Sequence, residues 1–301
     1  MGPAPVITIV TRTQGRPRFL ARCLQSVISQ TRGDWRLVLV NDGGLREDVE
    51  RVVASRALEL AGRVEIRHRA VSEGMEAASN FGFAGASTPW LTLLDDDDTW
   101  DRRFLERMLD AAAALPFSAA GVACHSEVVI ERDDADSIVE VRRYPFNTDL
   151  VAVNFERVSV ENCITNNAFV FRRETYEAVG GFDESFRVYG DWDFVLRVLL
   201  SFDIEVLPER LACYHRREGG VTPNSFQSMP HAAERYRARM VNVWLRGERG
   251  RSPAVGALIA QGAALREQRA LMQRLDKYLN ALHRLRNAPG LKRLERLFLG
   301  R

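Results

Sequence analysis

Through residue 115 the chain alternates short β-branched runs with amphipathic stretches, a rhythm that restricts it to a sheet covered by helices. Val6-Ile7-Thr8-Ile9-Val10 reads as a buried strand, and Phe19, Leu20, Cys23, Leu24, Val27 and Ile28 then recur at helical spacing. Trp35 to Val40 is a second strand, stopped by Asn41-Asp42-Gly43-Gly44, and Glu47 to Leu60 reads as a helix. Val64-Glu65-Ile66-Arg67 is a third strand and Glu76 to Gly85 a helix. Trp90 to Leu94 is a fourth strand and Arg102 to Leu115 an alanine-rich helix. The alternation predicts an α/β fold: one Rossmann-like, mostly parallel sheet with helices on both faces.

The pattern then breaks. Val122 to Arg143 reads as strands joined by a polar turn around Asp133-Asp134-Ala135-Asp136. Tyr144 to Asn167 carries no readable pattern. Ala168 to Phe171 is a strand, Asp191 to Ser201 an amphipathic helix, and Ile204 to His215 one or two strands. These breaks are short, so a single domain is expected over residues 1–225. From Pro230 the chain reads as helical to its end, interrupted at Gly247 to Pro253 and at Pro289-Gly290. Residues 262–301 hold ten Lys/Arg against Glu267, Asp276 and Glu295, a local +7 in a chain of net charge +2. Residues 226–301 are therefore expected as a basic helical appendage.

Composition excludes several classes. Hydrophobic residues make up 46% and charged residues 27% of the 301, ordinary for a globular chain. The near-neutral total argues against a nucleic-acid partner. Cys23, Cys124, Cys163 and Cys213 are scattered, with no C-x-x-C spacing for zinc or redox work. No secretory signal pattern and no spanning apolar run is read, so a cytoplasmic location is expected.

Three polar features fall at strand ends, where an open parallel sheet binds ligands. They are Thr11-Arg12-Thr13, Asn41-Asp42-Gly43-Gly44 and Asp95-Asp96-Asp97-Asp98. Four successive carboxylates repel one another, and a hard cation such as Mg²⁺ or Mn²⁺ would neutralise them. Alternatively, Asp98 or Thr99 caps the helix from Arg102, which accounts for one or two of the acids.

With these residues in view, the chain resembles a family 2 glycosyltransferase of the GT-A fold. The matching pieces run in family order over roughly residues 5–220. They are Val10-Thr11-Arg12-Thr13 with Arg16 and Leu20, Val40-Asn41-Asp42-Gly43, and Gly74 with Asn80. Then come Leu94-Asp95-Asp96-Asp97-Asp98-Thr99-Trp100, Gly180-Gly181-Phe182-Asp183-Glu184, and Gly190-Asp191-Trp192-Asp193 with Arg197. Each is weak alone; order and spacing make the signal.

The resemblance implies an inverting, hexosyltransferase-like enzyme of polysaccharide or glycolipid assembly. Its donor would be a UDP-, GDP- or dTDP-sugar, its acceptor a glycan or lipid-linked hydroxyl, and its cofactor Mn²⁺ or Mg²⁺. The donor half would span about 1–120 and the acceptor half about 121–225. Asp95, Asp96 and Asp97 resemble the D-x-D element, with Asp97 as metal ligand and Asp96 towards the ribose, subject to a one-residue slip. Thr11, Arg12, Thr13, Arg16 and Asp42 resemble donor-binding strand ends, with Asp42 near the base. The alternative for Arg12 and Arg16 is that they are solvated helix-start residues. Gly74 and Asn80 resemble the segment over the donor. Asp183 and Trp192 fall on the acceptor side, or respectively cap a turn and pack.

Asp191 resembles the second residue of the family's Glu-Asp motif and would be the catalytic base; Asp193 competes with it, and a helix cap is the plain alternative. The motif's first position is Gly190 here. His215 is a candidate third metal ligand or a structural histidine, and Arg216 or Arg217 a phosphate clamp. Glu218-Gly219-Gly220-Val221-Thr222 reads as a mobile loop.

In the tail, Leu265, Met272, Leu275, Leu279 and Leu282 fall near heptad spacing among basic residues. They suit contact with the inner face of an anionic membrane, self-association, or packing back on the domain. Rival functions are a sugar nucleotidyltransferase and a non-catalytic glycan- or partner-binding protein.

Overall fold

The computed structural model describes residues 4–134, 137–220 and 231–286. The first half runs β1 (Ile7–Thr13), α1 (Pro17–Ile28), β2 (Trp35–Asp42), α2 (Arg46–Ala54), α3 (Ala57–Leu60), β3 (Val64–Arg69), α4 (Met75–Phe83), β4 (Trp90–Leu93), β5 (Thr99–Trp100) and α5 (Phe104–Ala113). The second half runs β6 (Ala119–Asp133), β7 (Ile138–Phe146), α6 (Phe155–Val160), β8 (Phe169–Arg172), α7 (Arg173–Ala178), α8 (Gly190–Leu199), β9 (Asp203–Gly220), α9 (Ala232–Leu245) and α10 (Pro253–Arg286). The helix expected over 47–60 breaks in two at Ser55-Arg56. The stretch from 204 is one long strand, and the patternless 144–167 contains α6 and a 3-10 turn, Asn166–Ala168.

The sheet order is β3-β2-β1-β4-β8-β6-β9-β5, with β7 pairing to β6. β1 is parallel to β2 and β4, and β2 to β3. β8 is antiparallel to both β4 and β6. From β1 the chain moves outward to β2 and β3, then returns to lay β4 on the other side. That reversal opens a crevice at the carboxyl ends of β1 and β4. Register delivers the acidic run there: Val10 pairs with Leu93, so the residues after β4 emerge beside Thr11 to Thr13.

Alternation along the strands feeds two cores. Ile7, Ile9, Leu37 and Leu39 face α1 and α5 with Leu20, Leu24, Phe104 and Leu105. Val10, Val38 and Val40 join Ala78, Phe83, Trp192 and Val195 on the other face. Pro17 at the start of α1 has its fixed φ where a helix begins and no N–H is missed.

The boundary expected near residue 225 is not where packing ends. Met240, Val243, Trp244, Val255 and Ile259 are buried in the same core as α8. The body of the fold therefore continues into α10 as far as Gly262, which lies against Val160. Beyond it Leu265, Leu271, Met272, Leu275 and Leu279 are exposed. The interruption expected at Pro289-Gly290 lies outside the described residues, as do Val221 and Thr222 of the expected mobile loop and Ala135-Asp136 of the polar turn. Among the described residues no helix is long and apolar enough to cross a membrane.

Candidate active site

The acidic run is neutralised by arginines arriving from β1 and its flank and from β9. Arg12 forks onto Asp95, its Nε and Nη2 donating at 2.7 and 3.2 Å. Arg16 ion-pairs with Asp96 and reaches Asp97 at 2.9 Å, while Arg217 reaches Asp97 at 2.8 Å. These guanidinium groups offset part of the carboxylates' mutual repulsion.

Along the run, alternate acids face opposite ways. The side chains of Asp95 and Asp97 keep 23% and 16% of their surface, whereas that of Asp96 has 0%. Asp96 accepts from Thr13 Oγ1 at 2.6 Å as well as from Arg16. The oxygens of Asp96, expected towards the ribose, are enclosed and engaged in this structure, and the partly exposed pair is Asp95 and Asp97. Burial and its acidic neighbours push Asp96 up in spite of Arg16. For Asp97 burial acts in the same direction, but Arg16 and Arg217 outweigh it and hold the group below its usual value.

Asp98 does not cap the following helix. It accepts at 2.9 Å from the backbone N–H of His215, fastening β9 to the run. His215 has Nε2 2.9 Å from Thr99 Oγ1 and Nδ1 2.9 Å from Glu131 Oε2. Both ring nitrogens of His215 are thus engaged within the protein. Burial lowers its pKa against the pull of Glu131. Arg22 bonds Glu131 at 2.6 Å and the carbonyl of Asp97 at 2.5 Å, tying α1 to the same strand ends.

Other expected donor residues divide in the same way. Thr11 is fully buried beneath the site, so its side chain is withdrawn from any donor; Thr13 is spent on Asp96. Asp42 closes β2, accepting from Arg69 at 3.0 Å and Ser72 at 2.6 Å. Gly74 begins α4 at φ +111, with the side chain of Arg187 over it. Asn80 is a brace rather than a donor contact. It donates to the Phe182 carbonyl at 2.8 Å and Glu184 at 2.9 Å, and accepts from Tyr176 at 2.7 Å and the Phe182 N–H at 3.0 Å.

The acceptor-side residues are engaged within the fold. Trp192 is buried and donates to the Val158 carbonyl at 2.6 Å, so it packs rather than stacks on a sugar. Asp183 and Asp193 are both held by Arg251, at 2.7 Å each, and Asp193 also receives the Trp244 indole at 2.9 Å. Asp193 is thereby removed as a rival base.

Asp191 remains. α8 begins at Gly190 with Tyr189 as a left-handed N-cap and no side-chain cap, so Asp191 sits inside the first turn. It accepts from Asn162 at 2.9 Å, and Arg12 and Asp95 act on it electrostatically. Burial raises its pKa, overcoming the hydrogen bonds that favour the charge. Asp191 also lines a small pocket with Thr165, Asn166, Phe182 and Phe194.

The sequence analysis missed Asn162, because its loop has no periodicity. It also missed Glu76, buried on α4 among small residues. A charged side chain within Met75-Glu76-Ala77-Ala78-Ser79 was the available signal.

Asp95 and Asp97 suit a Mg²⁺ or Mn²⁺ ion completed by substrate phosphates, which ordinarily needs one or two protein carboxylates. Among the described residues no group of three or more acids, histidines or cysteines forms a site without a substrate.

A family model described as glycosyl transferase family 2 matches residues 7–179. The chain is similar to the uncharacterized glycosyltransferase YwdF of Bacillus subtilis, 27% identical over 71% of this chain and 75% of that one. It is 30% identical to a PGL/p-HBAD biosynthesis glycosyltransferase of Mycobacterium tuberculosis, over 64% of this chain and 70% of that one. Among solved structures, S. aureus TarS 1-349 in complex with UDP-GlcNAc superposes with a TM-score of 0.60 at 14% identity, covering 85% of this chain and 71% of that one. The mannosyltransferase PcManGT from Pyrobaculum calidifontis, in complex with GDP-Man and Mn²⁺, does so with 0.58 at 12%, covering 98% and 88%. These neighbours share the GT-A fold. By its family-model match, its relatives and its fold, the chain belongs to glycosyl transferase family 2.

Proposed function

We propose that the chain transfers a sugar from a nucleoside-diphosphate donor to a hydroxyl of a glycan or lipid-linked acceptor, by one displacement with inversion. The observation that carries this reading is Asp191, half-buried at the start of α8 and held by Asn162, with a raised pKa on which Arg12 and Asp95 act electrostatically. A carboxylate with a raised pKa is a better proton acceptor near neutral pH. Asp191 takes the acceptor proton as that oxygen attacks the anomeric carbon from the face opposite the leaving group. The bond to the diphosphate breaks, and the nucleoside diphosphate departs beside Arg12 and Arg16. The ligands named for TarS and the mannosyltransferase, UDP-GlcNAc and GDP-Man with Mn²⁺, support a nucleotide-sugar donor.

Asp97 would hold the divalent ion, with Asp95 beside it in the donor-contacting role first expected of Asp96. When bound, the ion supplies Lewis-acid stabilisation of the charge on the leaving diphosphate. Asp42 would meet the base from the end of β2.

The apolar residues exposed on the outer half of α10 and the +7 of residues 262–301 support contact with an anionic membrane surface. A lipid-linked acceptor and a cytoplasmic, peripheral location follow from that reading.

The test is a panel of UDP-, GDP- and dTDP-sugars with Mn²⁺, read by the phosphate product. Glycosyl transfer or donor hydrolysis releases nucleoside diphosphate. Formation of sugar 1-phosphate and nucleoside triphosphate from the same donors with added pyrophosphate would instead indicate nucleotidyl transfer and overturn the reading.

A further inference from the structure

Position 190 is glycine, and the reason lies across the site on α4. A Cβ built on Gly190 would overlap Glu76 at Cγ, Cδ and Oε1. The side chain of Glu76 therefore fills the space that a residue at 190 would enter. Glu76 is buried, and its Oε2 has no hydrogen-bond partner among the described residues. An enclosed carboxyl oxygen without a partner is costly in a fold that satisfies nearly all its buried polar groups. Such a group in a native fold calls for an explanation.

The charged groups around Glu76 are those of the proposed active site. Arg12 from β1, Asp95 after β4 and Asp191 from α8 all act on it, and Arg187 lies over Gly74 at the start of α4. The resemblance placed an acid immediately before Asp191, and this chain has none there.

We propose that Glu76 is a positioning residue that supplies, from α4, the second carboxyl beside Asp191 that position 190 lacks. Burial, with Asp191 and Asp95 adding to it, pushes Glu76 up to about 7 against the pull of Arg12. Below that pH it is a neutral acid next to Asp191. Above it, the added negative charge raises the proton affinity of Asp191 and makes it a stronger base. The inference rests on Asp191 as the base, but its test does not depend on turnover alone.

The substitutions are Glu76→Gln, Gly190→Glu, and Glu76→Ala combined with Gly190→Glu, each in the full chain. Gly190→Glu alone should destabilise the fold by overlap, and the combined variant should recover its unfolding midpoint. Carbon-13 NMR of the side-chain carboxyls should show Glu76 titrating near neutrality, and its midpoint should fall in Asp191→Asn. With UDP-GlcNAc or GDP-mannose as donor, nucleoside diphosphate release should rise with pH through neutrality in the parent. That rise should vanish in Glu76→Gln, with about tenfold slower release at pH 8, the size of a coupled pair of contacts. It should return in the combined variant. A Glu76 midpoint indifferent to Asp191→Asn overturns the proposal, as does a combined variant no better folded than Gly190→Glu. Full turnover in Asp191→Asn would instead overturn the base assignment, so the two failures are distinguishable.

Discussion

Arg251 reaches back from the segment between α9 and α10 to Asp193, with Nε 2.9 Å from one carboxylate oxygen and Nη2 2.7 Å from the other. The same Nη2 lies 2.7 Å from Asp183. One buried cation thus holds two buried acids and closes the C-terminal helices onto α8. Removing it leaves both carboxylates enclosed with a partner lost. Arg251→Ala should lower unfolding free energy by about 3–5 kcal/mol, the usual cost of breaking a buried pair from one side. Urea unfolding checks this; a loss under about 1 kcal/mol would show that the network relaxes.

The same packing predicts where the chain tolerates truncation. Removal of residues 226–301 strips Trp244, Arg251 and Ile259 from the core and should abolish cooperative unfolding. Removal of residues 265–301 takes away exposed side chains of α10 and should leave the unfolding midpoint unchanged. Co-sedimentation with anionic liposomes should be lost in the shorter truncation. Equal sedimentation of the full chain and of the chain lacking residues 265–301 would exclude the outer α10 as a membrane contact.

Glu76 gives the fold a pH dependence whose direction is fixed by its raised pKa of about 7 against an ordinary 4.5. Its folded form binds a proton more tightly than its unfolded form. The stability this gives is fully present below about pH 4.5 and is lost as pH rises towards 7. Glu76→Gln removes the titration. At pH 8 the variant should exceed the parent by about 3 kcal/mol more than it does at pH 4. Denaturant melts at both values measure the difference, and a constant offset would contradict it.

Metal dependence separates Asp97 from His215. Both ring nitrogens of His215 are engaged by Thr99 and Glu131, whereas Asp97 is partly exposed between Arg16 and Arg217. His215→Ala should keep the Mn²⁺ dependence of donor affinity in calorimetry, and Asp97→Ala should reduce affinity to its metal-free value. Loss of the dependence in His215→Ala would restore the histidine as a ligand.

The sheet was legible because β-branched runs and helical spacing are local, and register then carried the acidic run to Arg12 without further information. The family and its GT-A fold were legible from motif order. The fate of individual acids was not. Asp96 and Asp97 are neighbours in sequence, yet the local turn buries one and leaves the other half-open. Nothing in the spacing shows Arg251 arriving from far along the chain to claim Asp183 and Asp193, which is why Asp183 read as an acceptor residue. Trp192 looked like a sugar platform because an aromatic beside a catalytic acid has the same letters whether it packs or stacks. Asn162 and Glu76 emerge only from contacts between distant segments.

The central claim is that Asp191 takes the acceptor proton. Asp191→Asn keeps the shape and the bond to Asn162 while removing the base. At saturating donor and acceptor, the turnover of Asp191→Asn should fall by about 10²-fold or more, with donor affinity unchanged by calorimetry. Turnover within a few-fold of the parent would contradict the assignment.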